Sequence, residues 1–223
     1  CLSYVSKDME EGFPGNLSVK MTYSLSEDNE ISIAYEATTD KATVLNLSNH
    51  SYFNLSGNAK RDILNQEVQI DASRLVAVNK VLIPTGELTP VNGTPFDFTK
   101  PHVVGDRIND TSSEQIVLGG GYDHCWALDK PAGSYAKIAT VHDPVSGRKM
   151  TVSTDQPGVQ FYTGNFLDGH LTGKYGVQIT KRHGLCLETE HFPDSPNQPN
   201  FPSTVLRPGE VYKTKTAYQF SVN

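Results

Sequence analysis

Four places in the chain hold side chains suited to moving protons or reading hydroxyl groups. The first is Asn46-Leu47-Ser48-Asn49-His50-Ser51-Tyr52-Phe53-Asn54-Leu55-Ser56-Gly57, crowded with donors, acceptors and rings around a histidine. A histidine in such a stretch is either a hydrogen-bonded surface residue or a general acid or base. Its unperturbed pKa of ~6.5 lets small environmental shifts select either role near neutrality. The second place is Leu185-Cys186-Leu187-Glu188-Thr189-Glu190. On a strand, Glu188 and Glu190 share one face and Thr189 takes the other. A carboxylate that directly follows an apolar run is partly desolvated, which raises its pKa and its strength as a base. The plainer reading is a polar strand end. The third is Asp123, after three glycines and just before Trp126. An acid near an indole suits a sugar, with the carboxylate taking hydroxyls and the ring covering the apolar face; a turn aspartate is the alternative. The fourth is Gln160, set between Val159 and Phe161, either a hydrogen-bonded core amide or a hydroxyl reader.

Strands must carry these residues. Val19, Met21, Tyr23 and Leu25 alternate with polar residues, and Ile31, Ile33, Tyr35 and Ala37 do so again after a polar turn, which predicts an antiparallel hairpin of half-buried strands. Residues 42–47 predict a strand that delivers the His50 stretch at its end. Further strands are expected over 68–71, 75–78 and 81–83, with Pro84-Thr85-Gly86-Glu87 as a turn, and a short helix between 103 and 116. Residues 136–142 and 148–153 flank Asp143-Pro144-Val145-Ser146-Gly147, a hairpin with a tight turn. Strands over 159–163, 184–190 and 215–222 follow, with a Gly-rich loop over 164–182. No apolar period of 3.6 is sustained, and no linker or repeat divides the chain. The expectation is one all-β domain over residues 1–223, mostly antiparallel, with long Pro- and Gly-rich connections.

Composition narrows the function. A chain of 223 residues, 37% of them hydrophobic, can bury a substantial core. A net charge of -6 with scattered basic residues argues against a nucleic-acid partner. The apolar runs are too short for a transmembrane helix, so no membrane partner is expected. Three cysteines, Cys1, Cys125 and Cys186, give no disulfide framework and favour a reducing, cytoplasmic setting; six Asn-X-Ser/Thr sequons weigh lightly the other way. Asp123-His124, Glu190-His191 and the cysteines lack zinc-site spacing, so no metal is read. There is no phosphate-binding glycine loop, no Gly-X-Ser-X-Gly elbow and no dinucleotide fingerprint. Histidine–carboxylate proton transfer on a neutral polar ligand remains.

Seven segments occur in an order that resembles the galactose mutarotase (aldose 1-epimerase) family. They are Glu10-Glu11-Gly12-Phe13-Pro14-Gly15, the Asn46 to Gly57 stretch, Leu82-Ile83-Pro84-Thr85-Gly86, Gly121-Tyr122-Asp123-His124, the run from Gln156 to Asn165, Cys186-Leu187-Glu188-Thr189, and Asn197-Gln198-Pro199 with Leu206-Arg207-Pro208-Gly209. The resemblance implies a large antiparallel β-sandwich of the supersandwich type. It implies exchange of the α and β anomers of free aldohexoses such as galactose and glucose, with no cofactor. Position by position it implies Glu188 as general base, His50 as general acid, and Ser51, Tyr52, Asp123 and Gln160, beside His50, as holders of sugar hydroxyls. A monomer is expected. The family pattern also has an N-terminal segment, with an Asn-Arg pair and a histidine in Leu-His-Gly-Gly, that finds no match here. An N-terminally truncated sandwich that folds or turns over sugar poorly is therefore expected. The competing readings are a non-catalytic sugar-binding module, an epimerase-like protein for sugar phosphates, and a structural β-protein. The last would hold His50 and Glu188 more than one sugar ring apart.

Overall fold

Two antiparallel sheets share one apolar layer. In chain order, the strands of the computed structural model, which describes residues 1–222, are β1 (Leu2–Ser6), β2 (Leu17–Leu25), β3 (Glu30–Thr39), β4 (Thr43–Val44), β5 (Glu67–Ile70), β6 (Arg74–Val78), β7 (Pro84–Pro90), β8 (His102–Val103), β9 (Asp123–Ala127), β10 (Ala136–His142), β11 (Arg148–Thr154), β12 (Gly158–Tyr162), β13 (Asp168–Thr172), β14 (Gln178–Thr180), β15 (Cys186–Glu190), β16 (Val205–Leu206) and β17 (Tyr212–Val222). The larger sheet runs β1-β2-β3-β17-β11-β10-β5-β8 and the smaller β15-β12-β9-β6-β7. The expected large antiparallel sandwich is what forms.

Alternation sets which residues fill the layer between the sheets. Ile33, Ile70, Ile138, Met150, Val152 and Tyr218 come from the larger sheet, and Leu75, Trp126, Val159, Phe161 and Leu187 from the smaller. Trp126 is fully buried, yet its indole N–H is satisfied by the Phe96 carbonyl at 3.0 Å. Residues of opposite parity on the smaller sheet face away from this layer, and it is there that the functional side chains collect.

Several expectations change in the structure. The first hairpin forms as β2–β3. On β2, however, only Met21 packs against the main core, and Tyr23 and Leu25 stay exposed, because the strand runs past the area the opposing sheet covers. Residues 42–47 pair only over Thr43–Val44, against Val205–Leu206. The short helix lies later than expected, at Glu114–Gly119, and stops at Gly120, whose left-handed backbone (φ 62°) returns its N–H to the carbonyls of Ile116 and Val117. The 164–182 segment contains the small hairpin β13–β14, which its mostly exposed residues do not announce by apolar alternation.

The clearest reversal is at 79–90. The expected 81–83 strand is a turn, and the expected Pro84–Glu87 turn is the start of β7. The Asn79 side-chain oxygen accepts from the backbone N–H groups of Val81 and Ile83, and Leu82 takes a left-handed φ of 62°. That local bonding outcompetes the β preference of three apolar residues. Pro84 then opens a strand at the sheet edge, where its missing N–H leaves no ladder bond unmade. Asn79→Ala is expected to cost about 1 kcal/mol of stability, read as a lower urea midpoint at unchanged slope.

Candidate active site

The floor of the site is the outward face of β9, β12 and β15. Their register stacks side chains in three rows. Cys186, Tyr162 and Asp123 form one, Glu188, Gln160 and Cys125 the next, and Glu190, Gly158 and Ala127 the third. The intervening residues, Leu187, Phe161 and Trp126 among them, point into the core. Glu188 and Glu190 thus share a face, as period two requires.

His50 reaches this floor from a segment strapped along β15, the edge strand of the smaller sheet. Asn46 exchanges two hydrogen bonds with the backbone of His191, at 2.9 and 3.0 Å. The Ser48 hydroxyl donates to the Thr189 carbonyl at 3.1 Å, and the Tyr35 hydroxyl donates to the Ser48 carbonyl at 2.9 Å. Phe53 and Leu185 exchange backbone bonds at 2.8 and 2.9 Å. Asn54 donates to the carbonyls of Arg61 and His183. The polar crowd around His50 is therefore mostly a fastening that covers a sheet edge and fixes the histidine's place over it.

His50 and Glu188 meet. Nε2 of the half-exposed histidine lies 3.7 Å from Oε1 of the largely buried glutamate. On its other side, His50 Nδ1 is 3.4 Å from Cys186 Sγ, within hydrogen-bonding reach of a thiol. Gln160 donates to Asp123 Oδ1 at 2.9 Å, and its own amide oxygen is buried without a partner. His50, Glu188, Asp123 and Gln160 line a cleft of about 390 Å³ together with Tyr52, whose ring is 5.0 Å from that of His50. The wide separation expected of a purely structural β-protein is not found. Ser51 is not in the cleft lining: it is exposed, and its hydroxyl donates to Asn49 at 2.6 Å. Tyr162, Phe166, Glu190 and Pro193 also line the cleft, although they were not among the site residues read from the sequence. Alternation had already set Glu190 on the face of Glu188 without giving it a role, and it could also have found Tyr162, which follows Gln160 by two. A larger hollow of about 530 Å³ lies on the far side of Tyr52, walled by Phe53, Leu167, Leu171 and Ile179. It holds Lys174 and His183 but no carboxylate to complete an acid–base pair.

Burial dominates the electrostatics. It raises the pKa of Glu188, against the pull of His50 and with a push from Asp123. It raises Asp123 too, partly offset by the Gln160 hydrogen bond and by His50. Glu190 is pushed up to about 8 by burial and then by the charge of Glu188. Tyr52 rises to about 12, mainly through desolvation. Burial, then Glu188 and Asp123, push the Cys186 thiol far up. One ligand atom each from His50, Cys186 and Glu188 lies within 4.8 Å of the others, so the three could hold a soft cation, but only once Cys186 gives up a proton that burial helps it keep. The ready chemistry is a base of raised strength facing a histidine, beside an acid–amide pair that can grip hydroxyls.

Residues 1–219 match the sequence model of a family described as aldose 1-epimerase. The chain belongs to the aldose 1-epimerase family. It is 48% identical over 222 residues to a galactose mutarotase of Homo sapiens, covering 99% of this chain and 62% of that protein. It is 39% identical over 218 residues to an aldose 1-epimerase of Escherichia coli (strain K12), covering 96% of this chain and 62% of that protein. Among solved structures it superposes on a GalM/aldose epimerase homologue from C. elegans with a TM-score of 0.87 and 27% identity, covering 99% of this chain and 64% of that one. The chain thus spans about three fifths of the length of these epimerase relatives, and along that span both the epimerase sequence pattern and the sandwich are present.

Proposed function

We propose that the protein interconverts the α and β anomers of free aldohexoses, galactose and glucose among them, by acid–base ring opening. The observation that carries this reading is the 3.7 Å approach of His50 Nε2 to Glu188 Oε1 in a cleft beside the Asp123–Gln160 pair. The names of the human and bacterial relatives point the same way.

In this mechanism the Glu188 carboxylate takes the proton of the anomeric hydroxyl. Protonated His50 gives its proton to the ring oxygen, the bond from C1 to the ring oxygen breaks, and C1 becomes an aldehyde. Rotation about C1–C2 presents the other carbonyl face. The new C5 hydroxyl attacks it and returns its proton to His50, while Glu188 returns its proton to the former carbonyl oxygen. Protons and electron pairs balance within the pair of side chains and the sugar, so no cofactor or metal enters the scheme. Each positioned proton transfer is typically worth about 10²–10⁴ in rate. Burial of Glu188 strengthens the base and so serves the first step.

Asp123 and Gln160 hold ring hydroxyls, the carboxylate accepting and the unpartnered amide oxygen accepting as well. Tyr52 lines the wall beside them, and Ser51, exposed outside the cleft and bonded to Asn49, takes no part in holding the sugar. No lysine or arginine lines the cleft, and three carboxyl groups do, which favours an unphosphorylated substrate. Three free cysteines fit a cytoplasmic setting, and we take the working unit to be a monomer with one epimerase domain. No helix among the described residues is long and apolar enough to cross a membrane. The test is polarimetry of freshly dissolved α-galactose and α-glucose. The protein should shorten the decay of optical rotation in proportion to its concentration. A decay equal to that of buffer would refute the proposal.

A further inference from the structure

Glu190 is a titratable side chain in the cleft that proton exchange at Glu188 and His50 leaves unused. It stands two residues beyond Glu188 on the same face of β15, and its neighbour across the pairing is Gly158, which has no side chain to cover it. That gap is enforced: a Cβ on Gly158 would lie 2.9 Å from both Cys125 Sγ and Phe192 Cδ1. The carboxyl therefore sits where the polar cleft meets the apolar cluster of Val76, Cys125, Ala127, Phe192 and Phe201. The titratable groups facing it are Glu188 on its own strand and Cys125 on β9, with Asp123 and His50 farther along the cleft. Among the described residues none hydrogen-bonds to it. Burial and the charge of Glu188 raise its pKa, and no hydrogen bond opposes them. A carboxyl raised in this way holds its proton to higher pH than an ordinary glutamate, and in that form has one O–H to donate. Its carboxyl is partly exposed at the cleft wall with no side-chain partner among the described residues, and a sugar hydroxyl entering the cleft can supply one.

We propose that Glu190 is a specificity-determining residue of the sugar site, whose carboxyl, in the cleft wall beside Glu188, donates a hydrogen bond to a ring hydroxyl of the bound aldose. This rests on the aldose reading above. The contact is made equally before and during ring opening, so it acts on binding and not on turnover. As pH rises through about 8, the donor is lost and a second negative charge appears beside Glu188, so binding weakens.

KM for α-galactose is followed from neutral to alkaline pH, with the uncatalysed rate subtracted. For the parent it should rise several-fold through about pH 8. Glu190→Ala should raise KM about tenfold at neutral pH with little change in kcat. Glu190→Gln, whose amide donates at every pH, should sit nearer the parent than the alanine variant and show no rise through that range. An alanine variant with the parent's KM, or an alkaline rise that persists in the glutamine variant, overturns the proposal. The Kd of 1,5-anhydrogalactitol, which has no anomeric hydroxyl and cannot open, is measured alongside. Binding with this dependence on residue 190 but without turnover of galactose would overturn the reaction and keep the Glu190 contact. Neither binding nor turnover by the parent would overturn both.

Discussion

If the proposed acid–base pair operates, Glu188→Gln should lower kcat for anomer exchange by about 10²–10⁴, and His50→Asn should do the same. Glutamine keeps the size and hydrogen-bonding reach of glutamate but cannot take a proton. Substrate binding is therefore largely kept and KM changes little. The two residues act on one bond from opposite sides, so the double variant should fall well short of the product of the single losses. The pH profile gives a second signature. A carboxylate whose folded pKa is raised works only above that pKa, so the acid limb of kcat/KM should lie above the ordinary glutamate value of ~4.3. The glutamine variant should lose the acid limb along with most of its rate. Polarimetry across pH reads all of this, and turnover by either variant at the parent's rate would remove these two residues from the mechanism.

Phe161→Ala should cost about 3–5 kcal/mol of stability. The ring is fully buried, stacks on Tyr122 at 5.5 Å between centroids, and meets Phe98 at 5.7 Å and Trp126 at 5.8 Å. Truncation leaves a cavity lined by rigid rings that cannot close over it. Urea unfolding should show a large drop in midpoint at constant slope. Because Phe161 points into the core and Gln160 points into the cleft, molecules that remain folded should keep near-parental kcat. A loss below 1 kcal/mol, or a kcat collapse without unfolding, would contradict this division of labour between the two faces of β12.

Parity was the part of the fold that could be read without coordinates. Alternation placed Glu188 with Glu190 and set the hairpin β2–β3, and the tight turn over Asp143–Gly147 set β10–β11. Where alternation competes with local side-chain bonding, it misleads. Val81, Leu82 and Ile83 have strand composition, but Asn79 holds their amides and turns the chain. The meeting of His50 with Glu188 is not periodic at all. It depends on Asn46, Ser48 and Phe53 each finding a backbone partner on or beside β15, contacts between distant parts of the chain that no window of sequence contains. The family resemblance supplied that pairing as an implication, and the strap supplies its physical cause. Tyr162 and Glu190 were within reach of alternation alone. Phe166 and Pro193 come from connections, whose paths alternation does not describe.

The three-row floor has a consequence for how this site can vary. Removing or adding one residue between Leu185 and Glu190 would turn Leu187 toward the cleft and press Glu188 against the buried rings of the core. The cleft face and the packed face of β15 are two readings of the same string, one residue out of phase. Exchanging residues within a row can alter the chemistry of the cleft while the packing stays intact, but a shift in length destroys cleft and packing together. Diversity in this part of the molecule should accordingly accumulate as substitutions in the cleft rows and as length changes only in the connections that leave the sheet.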